Sequence, residues 1–161
     1  MLAFLNGQIV PESEAVIPVN DRGFLYGDGL FETIRVCHGR AFRLAQHLER
    51  LARGAEFLKI KLPLTPALLQ HHAQDLIVRN QTTEAILRLT LSRGVGERGY
   101  LPRNTNQPTL VMTLHPAPEF HPDRALEWGV ITASHRVPAP FSSSPTSVLT
   151  IVCTAPIVKS Q

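Results

Sequence analysis

The chain has 161 residues, 43% of them hydrophobic, with a formal net charge of +3. That length suits one full domain and part of a second, and the apolar content excludes a mostly disordered chain. Its arginines are scattered, so no basic stripe marks a nucleic-acid or membrane surface. The opening Met1 to Gly7 lacks the basic leader and apolar run of a signal peptide, and no stretch approaches the roughly 20 apolar residues of a membrane helix. Cys37 and Cys153 form no CxxC pair, so a reducing, cytoplasmic setting is expected.

In chain order, Leu2-Ala3-Phe4-Leu5, the turn Asn6-Gly7 and Gln8-Ile9-Val10 predict a β-hairpin, because Asn-Gly accepts the positive φ angles such a turn needs. A glycine-rich segment leads into a strand over Leu30 to Cys37, which His38-Gly39 turns back into Arg40-Ala41-Phe42. Leu44, Leu48, Leu51, Ala55 and Leu58 recur at helical steps, and Pro63 prevents that helix from continuing. A second helix starts with Thr65 as cap and Pro66 in its first turn, then runs through Leu69, Ala73, Leu76 and Ile77. The period then changes to two. Ala85, Leu87, Leu89 and Leu91 share one face of a strand, with Arg88 and Thr90 on the other. Thr109 to Leu114 and Trp128 to Ala133 read as further strands, separated by a stiff stretch carrying Pro116, Pro118 and Pro122. The pattern predicts an α+β domain over 1–115, a linker over 116–123 and the start of a second domain over 124–161.

The densest chemical signal is Asn20-Asp21-Arg22-Gly23-Phe24-Leu25-Tyr26-Gly27-Asp28-Gly29-Leu30-Phe31-Glu32-Thr33-Ile34-Arg35. Its glycines permit tight turns, and Tyr26 and Phe31 offer aromatic walls. By itself it reads as a polar loop before a strand. The helix then supplies His47-Leu48-Glu49-Arg50-Leu51, by itself a solvated face, with Arg53 one turn on as a surface residue. Ser92 to Tyr100 contains a literal G-x-G-x-x-G after a strand, but the residues beyond it do not start a helix, so the dinucleotide fold is rejected. His71-His72 point in different directions on a helix and cannot share a metal well, and no HExxH or hydrolase elbow occurs.

Together, the two motifs resemble the N-terminal hallmark of the class IV aminotransferases, a pyridoxal-phosphate family of fold type IV. That family includes branched-chain and D-amino-acid aminotransferases and aminodeoxychorismate lyase, and the likeness spans roughly Phe4 to Pro138. The resemblance implies that Arg50 binds the cofactor phosphate, a task suited to a planar guanidinium. It places Tyr26 and Phe31 on the substrate side of the pocket, although each would also serve as core. It puts the loop holding Arg98 and Tyr100 near the entrance, where they could bind a substrate carboxylate or simply form an exposed turn. It implies amino-acid and 2-oxo-acid substrates and a homodimer in intact relatives, with no nucleic-acid or membrane partner and no metal.

The resemblance also calls for a Schiff-base lysine early in the second domain. The stretch after Pro138 has none, and the chain's lysines are Lys59, Lys61 and Lys159. The first two come too early and Lys159 lacks the motif context, so no catalytic residue is assigned. From about residue 141 the tail is atypical. Permissible codons for Thr146 to Ile151 would encode the family's lysine string in a neighbouring frame, which points to a frameshift near 141–146. Three readings follow: an aminotransferase that is inactive as this truncated chain, an aminodeoxychorismate lyase, or a non-enzymatic remnant. In each, weak or no cofactor binding by the chain as it stands is expected.

Overall fold

The computed structural model describes residues 1–105 and 107–118 with their side chains, and the backbone of Trp128–Thr132 and Val152–Pro156. Tertiary contacts divide the chain into two units, Met1–Pro118 and Glu119–Gln161.

The first unit is built on one sheet of β1 (Leu2–Leu5), β2 (Gln8–Pro11), β3 (Gly29–Cys37), β4 (Arg40–Ala41), β5 (Ala85–Ser92) and β6 (Thr109–Pro116). These strands lie in the order β2-β1-β6-β5-β3-β4, and every neighbouring pair is antiparallel. Positive φ at Asn6 (48°) and Gly7 (100°) makes the tight β1–β2 turn that the Asn-Gly pair predicts. Asn6 also reaches across the sheet: its Oδ1 accepts from the Leu110 amide at 2.8 Å.

Alternation along the strands sorts the sheet into two faces. Ile34 and Val36 of β3, Leu87, Leu89 and Leu91 of β5, and Leu110, Met112 and Leu114 of β6 are all buried in one core. Against them lie α2 (Leu44–Phe57), through Leu48, Leu51 and Ala55, and α3 (Pro66–Arg79), through Leu69, Ala73, Leu76 and Ile77. Each buried leucine contributes roughly 1.5–3 kcal/mol relative to exposure, which is what holds helices and sheet together. The cap expected at Thr65 is present, its Oγ1 accepting from the Leu68 amide at 3.3 Å. At the other end of α3, Asn80 donates to the Leu2 and Leu76 carbonyls at 3.1 and 2.9 Å and accepts from the Leu2 amide at 2.8 Å. One side chain thus ends the helix and ties it to β1.

Two local features depart from the sequence reading. Within the glycine-rich segment, Arg22–Tyr26 forms a five-residue helix, α1, capped by Asp21 and ended by Gly27 in the left-handed conformation. Five residues are too few to show a period, so the helix has no apolar signature of its own. The strand β6 also continues through Pro116, which pairs with Ala85, so the first proline of the expected linker still belongs to the sheet. Proline is tolerated there because a strand end does not need its missing donor.

In the second unit, β7 (Trp128–Thr132) pairs antiparallel with β8 (Val152–Pro156), from Trp128 opposite Pro156 to Thr132 opposite Val152. Of the expected linker, 119–123 lie outside the described residues, as do 133–151 and Lys159.

Candidate functional site

The loop before β3 is organised by buried charge. Asp21, only 2% exposed, accepts from the Gly23 amide at 2.7 Å, from Ser92 Oγ at 2.7 and 2.9 Å, and from Thr109 Oγ1 at 2.6 Å. It thereby caps α1 and fastens it to the ends of β5 and β6. Beside it, an apolar cavity of about 300 Å³ is lined by Ile17, Val19, Phe24 and Val111. The next residue, Arg22, is equally buried and donates through Nε to Asp28 Oδ2 at 2.8 Å. Asp28 takes a second cation, Arg93, whose Nε lies 2.8 Å away and whose Nη2 donates to the Leu58 carbonyl at the end of α2. Burial opposes ionisation of Asp28, but the hydrogen bonds from Arg93 and Arg22 outweigh it and hold the carboxyl below its ordinary value.

A second buried carboxylate, Glu32, occupies an inward position of β3 in line with Ile34 and Val36. It receives Arg50 of α2 in a two-point contact, Nε to Oε1 at 2.7 Å and Nη2 to Oε2 at 2.5 Å. His47, one turn earlier on α2, lies with Nδ1 2.7 Å from Oε2. Burial would raise the Glu32 pKa; Arg50 and His47 together lower it. Arg50 itself is pushed up by Glu32 and stays fully charged. Its side chain is nevertheless 65% exposed, and Nη1 makes no hydrogen bond among the described residues. The result is a cation fixed at its inner edge and open at its outer edge.

The opposite sheet face carries Phe31 and Arg88. Phe31 is 58% exposed, so the structure places it as a surface aromatic and removes the core alternative. The guanidinium of Arg88 stacks over its ring at 4.0 Å. Sequence reading placed Arg88 on this face but did not single it out. Tyr26 accepts from the Gly99 amide at 3.0 Å, and its ring lies 5.6 Å from that of Tyr100. Tyr100 is 89% exposed, and Arg98 is exposed as well. Tyr26, Tyr100 and the backbone beside Arg98 therefore form one cluster, Phe31 and Arg88 a second, and Arg50 with Glu32 a third. Phe31 and Glu32 are neighbours on β3 and point to opposite faces, so the second and third clusters flank the same strand. Over residues 29–34, the edge of β3 away from β5 has no strand partner among the described residues, because β4 pairs only with Val36 and Cys37. No helix follows the G-x-G-x-x-G loop over 100–105, in line with rejecting the dinucleotide fold. Arg53 is exposed and pairs loosely with Glu49 at 3.7 Å, as expected of a surface residue.

The motif pair and the surrounding fold match a known protein family. The family model described as amino-transferase class IV matches residues 29–149. This chain belongs to that family. The match extends into the tail that the sequence reading treats as atypical from about 141. Among relatives, a protein of Methanocaldococcus jannaschii assigned as a branched-chain-amino-acid aminotransferase is 39% identical over 118 residues, covering 73% of this chain and 41% of that protein. The crystal structure of 4-amino-4-deoxychorismate lyase from Pseudomonas aeruginosa is 32% identical with a TM-score of 0.61, covering 74% of this chain and 42% of that one. The branched-chain aminotransferase of Thermoproteus uzoniensis, solved with norvaline, is 26% identical with a TM-score of 0.72, covering 84% and 46%. The class IV fold is therefore shown, as an N-terminal portion. The chain spans less than half the length of each of these three relatives.

Buried Asp21, Arg22 and Glu32 and half-buried Asp28 were not assigned roles from sequence. For Glu32 a signal existed: a carboxylate at an inward register position requires a cation, and His47 and Arg50 are spaced to face it from a helix.

Proposed function

We propose that this chain supplies the cofactor-phosphate and substrate-entrance side of a pyridoxal-phosphate aminotransferase, moving an amino group between an amino acid and a 2-oxo acid. The observation that carries the reading is Arg50, held by buried Glu32 yet open at Nη1. A phosphate dianion needs fixed, charge-assisted donors, and a guanidinium already oriented by a carboxylate gives them at little further entropic cost. The residues present therefore fit the group. When bound, pyridoxal phosphate contributes an aldehyde that captures amines and a ring that withdraws electrons. The chain's own part is positional. Arg50 anchors the phosphate, Glu32, itself contacted by His47, holds Arg50, and Phe31 and Tyr26 wall the substrate side. Arg98, with Tyr100, receives a carboxylate.

The lysine that the resemblance calls for is not supplied by Lys59 or Lys61, which follow the end of α2. Its expected neighbourhood after Pro138 lies outside the described residues. We therefore propose that the 161-residue chain binds the cofactor weakly and turns over no substrate by itself. The two-domain division, with 1–115 as the N-terminal domain, and homodimer formation by complete relatives belong to the same proposal. So does a cytoplasmic setting, to which the described residues contribute one fact: none of their helices is long and apolar enough to cross a membrane.

The test is a titration followed at the Arg50 Nε–H NMR resonance. Pyridoxal phosphate and inorganic phosphate should shift it saturably, pyridoxal should not, and Arg50→Gln should abolish the phosphate binding seen by calorimetry. Equal responses to pyridoxal and pyridoxal phosphate overturn the assignment. A second reading, aminodeoxychorismate lyase, is favoured by the 32% identity to the Pseudomonas aeruginosa lyase. Assays of this chain joined to a class IV C-terminal domain, with branched-chain amino acids and with aminodeoxychorismate, separate the two.

A further inference from the structure

The segment Glu97–Tyr100 is held in an unusual way. Arg22 Nη1 donates to the Gly99 carbonyl at 2.8 Å and to the Glu97 carbonyl at 3.4 Å, and Nη2 donates to the Tyr100 carbonyl at 2.9 Å. From the other side, the Gly99 amide donates to Tyr26 Oη at 3.0 Å. One buried guanidinium thus collects three carbonyls of four consecutive residues, while Asp28 fixes its remaining edge. Its guanidinium carbon also lies 4.9 Å from the Tyr26 ring centre, so the clamp and the loop it holds share an aromatic support. Gly96, just upstream, packs so closely that an added Cβ would lie 3.0 Å from Arg22 Cδ. Every anchoring contact named here uses loop backbone. The side chains of Arg98 and Tyr100 are left exposed, with no hydrogen bond from either among the described residues.

That division of labour is what a presented binding loop requires. An exposed loop of glycine and polar residues would otherwise sample many conformations, and a ligand would have to order it at a cost in affinity. We propose that Arg22 is a positioning residue, which fixes the Glu97–Tyr100 backbone and so sets where the Arg98 side chain is presented to a ligand carboxylate. The ligand half of this inference rests on the reading of Arg98 given above; the loop-holding half rests on the contacts alone. Lysine cannot replace Arg22, because a point ammonium lacks the planar fork that spans three carbonyls and a carboxylate.

The test uses the 161-residue chain with pyruvate as probe and neutral pyruvamide as control. In the native chain, pyruvate should shift the Arg98 Nε–H resonance saturably and pyruvamide should not. In Arg98→Gln, calorimetry should no longer detect the pyruvate binding that it registers for the native chain. In Arg22→Lys, Gly99 amide exchange should accelerate at least roughly tenfold and the pyruvate Kd should rise about tenfold, with the core amides still protected. Should that variant fail to fold, Tyr26→Phe removes only the side-chain acceptor of the loop; it should speed Gly99 exchange and raise the Kd about threefold. Unchanged Gly99 exchange and unchanged Kd in a folded variant overturn the proposal. If the native chain ignores pyruvate while Gly99 exchange still accelerates in Arg22→Lys, the carboxylate reading of Arg98 fails and the loop-holding role stands.

Discussion

Asp21 shows how much a single charged side chain can organise when it is buried among donors rather than paired with a cation. Its carboxylate collects one amide and two hydroxyls from three separate elements. Each such bond to an ionised acceptor is worth roughly 1.5–3 kcal/mol, and deleting the acceptor strands the buried donors that remain. Asp21→Ala should therefore lower unfolding free energy by about 2–4 kcal/mol in urea denaturation, whereas Thr109→Val, which removes one donor, should cost about 1 kcal/mol. A smaller loss in Asp21→Ala than in Thr109→Val would contradict this account. Arg22 follows a similar logic with the opposite charge, collecting carbonyls as well as a carboxylate. Neither was legible as buried, because aspartate and arginine are rarely enclosed unless partnered, and most of their partners lie far along the chain. Ser92 and Thr109 are 71 and 88 residues from Asp21, and the carbonyls held by Arg22 are 75 to 78 away. A local pattern carries no trace of such pairings.

At the scale of elements, α2 and α3 were readable because their apolar residues recur on one face, and that face is the one buried. Leu48 is 2% exposed in the core between α2 and the sheet, so Leu48→Ala should cost about 2–5 kcal/mol by the cavity it leaves. Phe57, on the same helix and 56% exposed, should tolerate alanine far better, and thermal denaturation of the two variants compares them directly. The strand β5 was readable from alternation and β3 from its Phe, Ile and Val content, while Glu32 interrupts the alternation of β3 in residue type and keeps it in burial. The helix α1 was not. Its five residues sit among glycines, and it exists because Asp21 satisfies its first amides and Gly27 takes φ +64° to end it. The loop after β5 was recognised as glycine-rich for the right reason at one position: Gly94 has φ +82°, and a Cβ there would lie 1.8 Å from the Gln107 carbonyl oxygen.

For the whole first unit, the two depressed carboxyls predict how stability responds to acid. Glu32 and Asp28 both bind protons less readily folded than unfolded. Their contribution is therefore complete above the unfolded carboxylate range, near pH ~4, and is lost as pH falls through the lower folded values. The urea midpoint should hold between about pH 7 and about 5, then fall steeply toward about pH 3. The double variant Asp28→Asn, Glu32→Gln should start lower and fall less steeply, and parallel curves for the two proteins would rule the linkage out. The six-stranded sheet depends on pairings between residues spread over the full unit. The motif pair alone therefore indicated the family but not the sheet order, which became visible only in three dimensions.

The strand order also bears on how the protein is made. Strand β1 leaves the ribosome before the other strands of this sheet, yet it lies between β2 and β6, with Phe4 opposite Met112. Its inner neighbour is synthesised roughly a hundred residues later, so the N-terminal hairpin must wait, one side unzipped, until almost the whole unit has emerged. Nascent chains halted before β6 should accordingly display an adhesive N-terminal ribbon and attract chaperones, and chains released just after it should not.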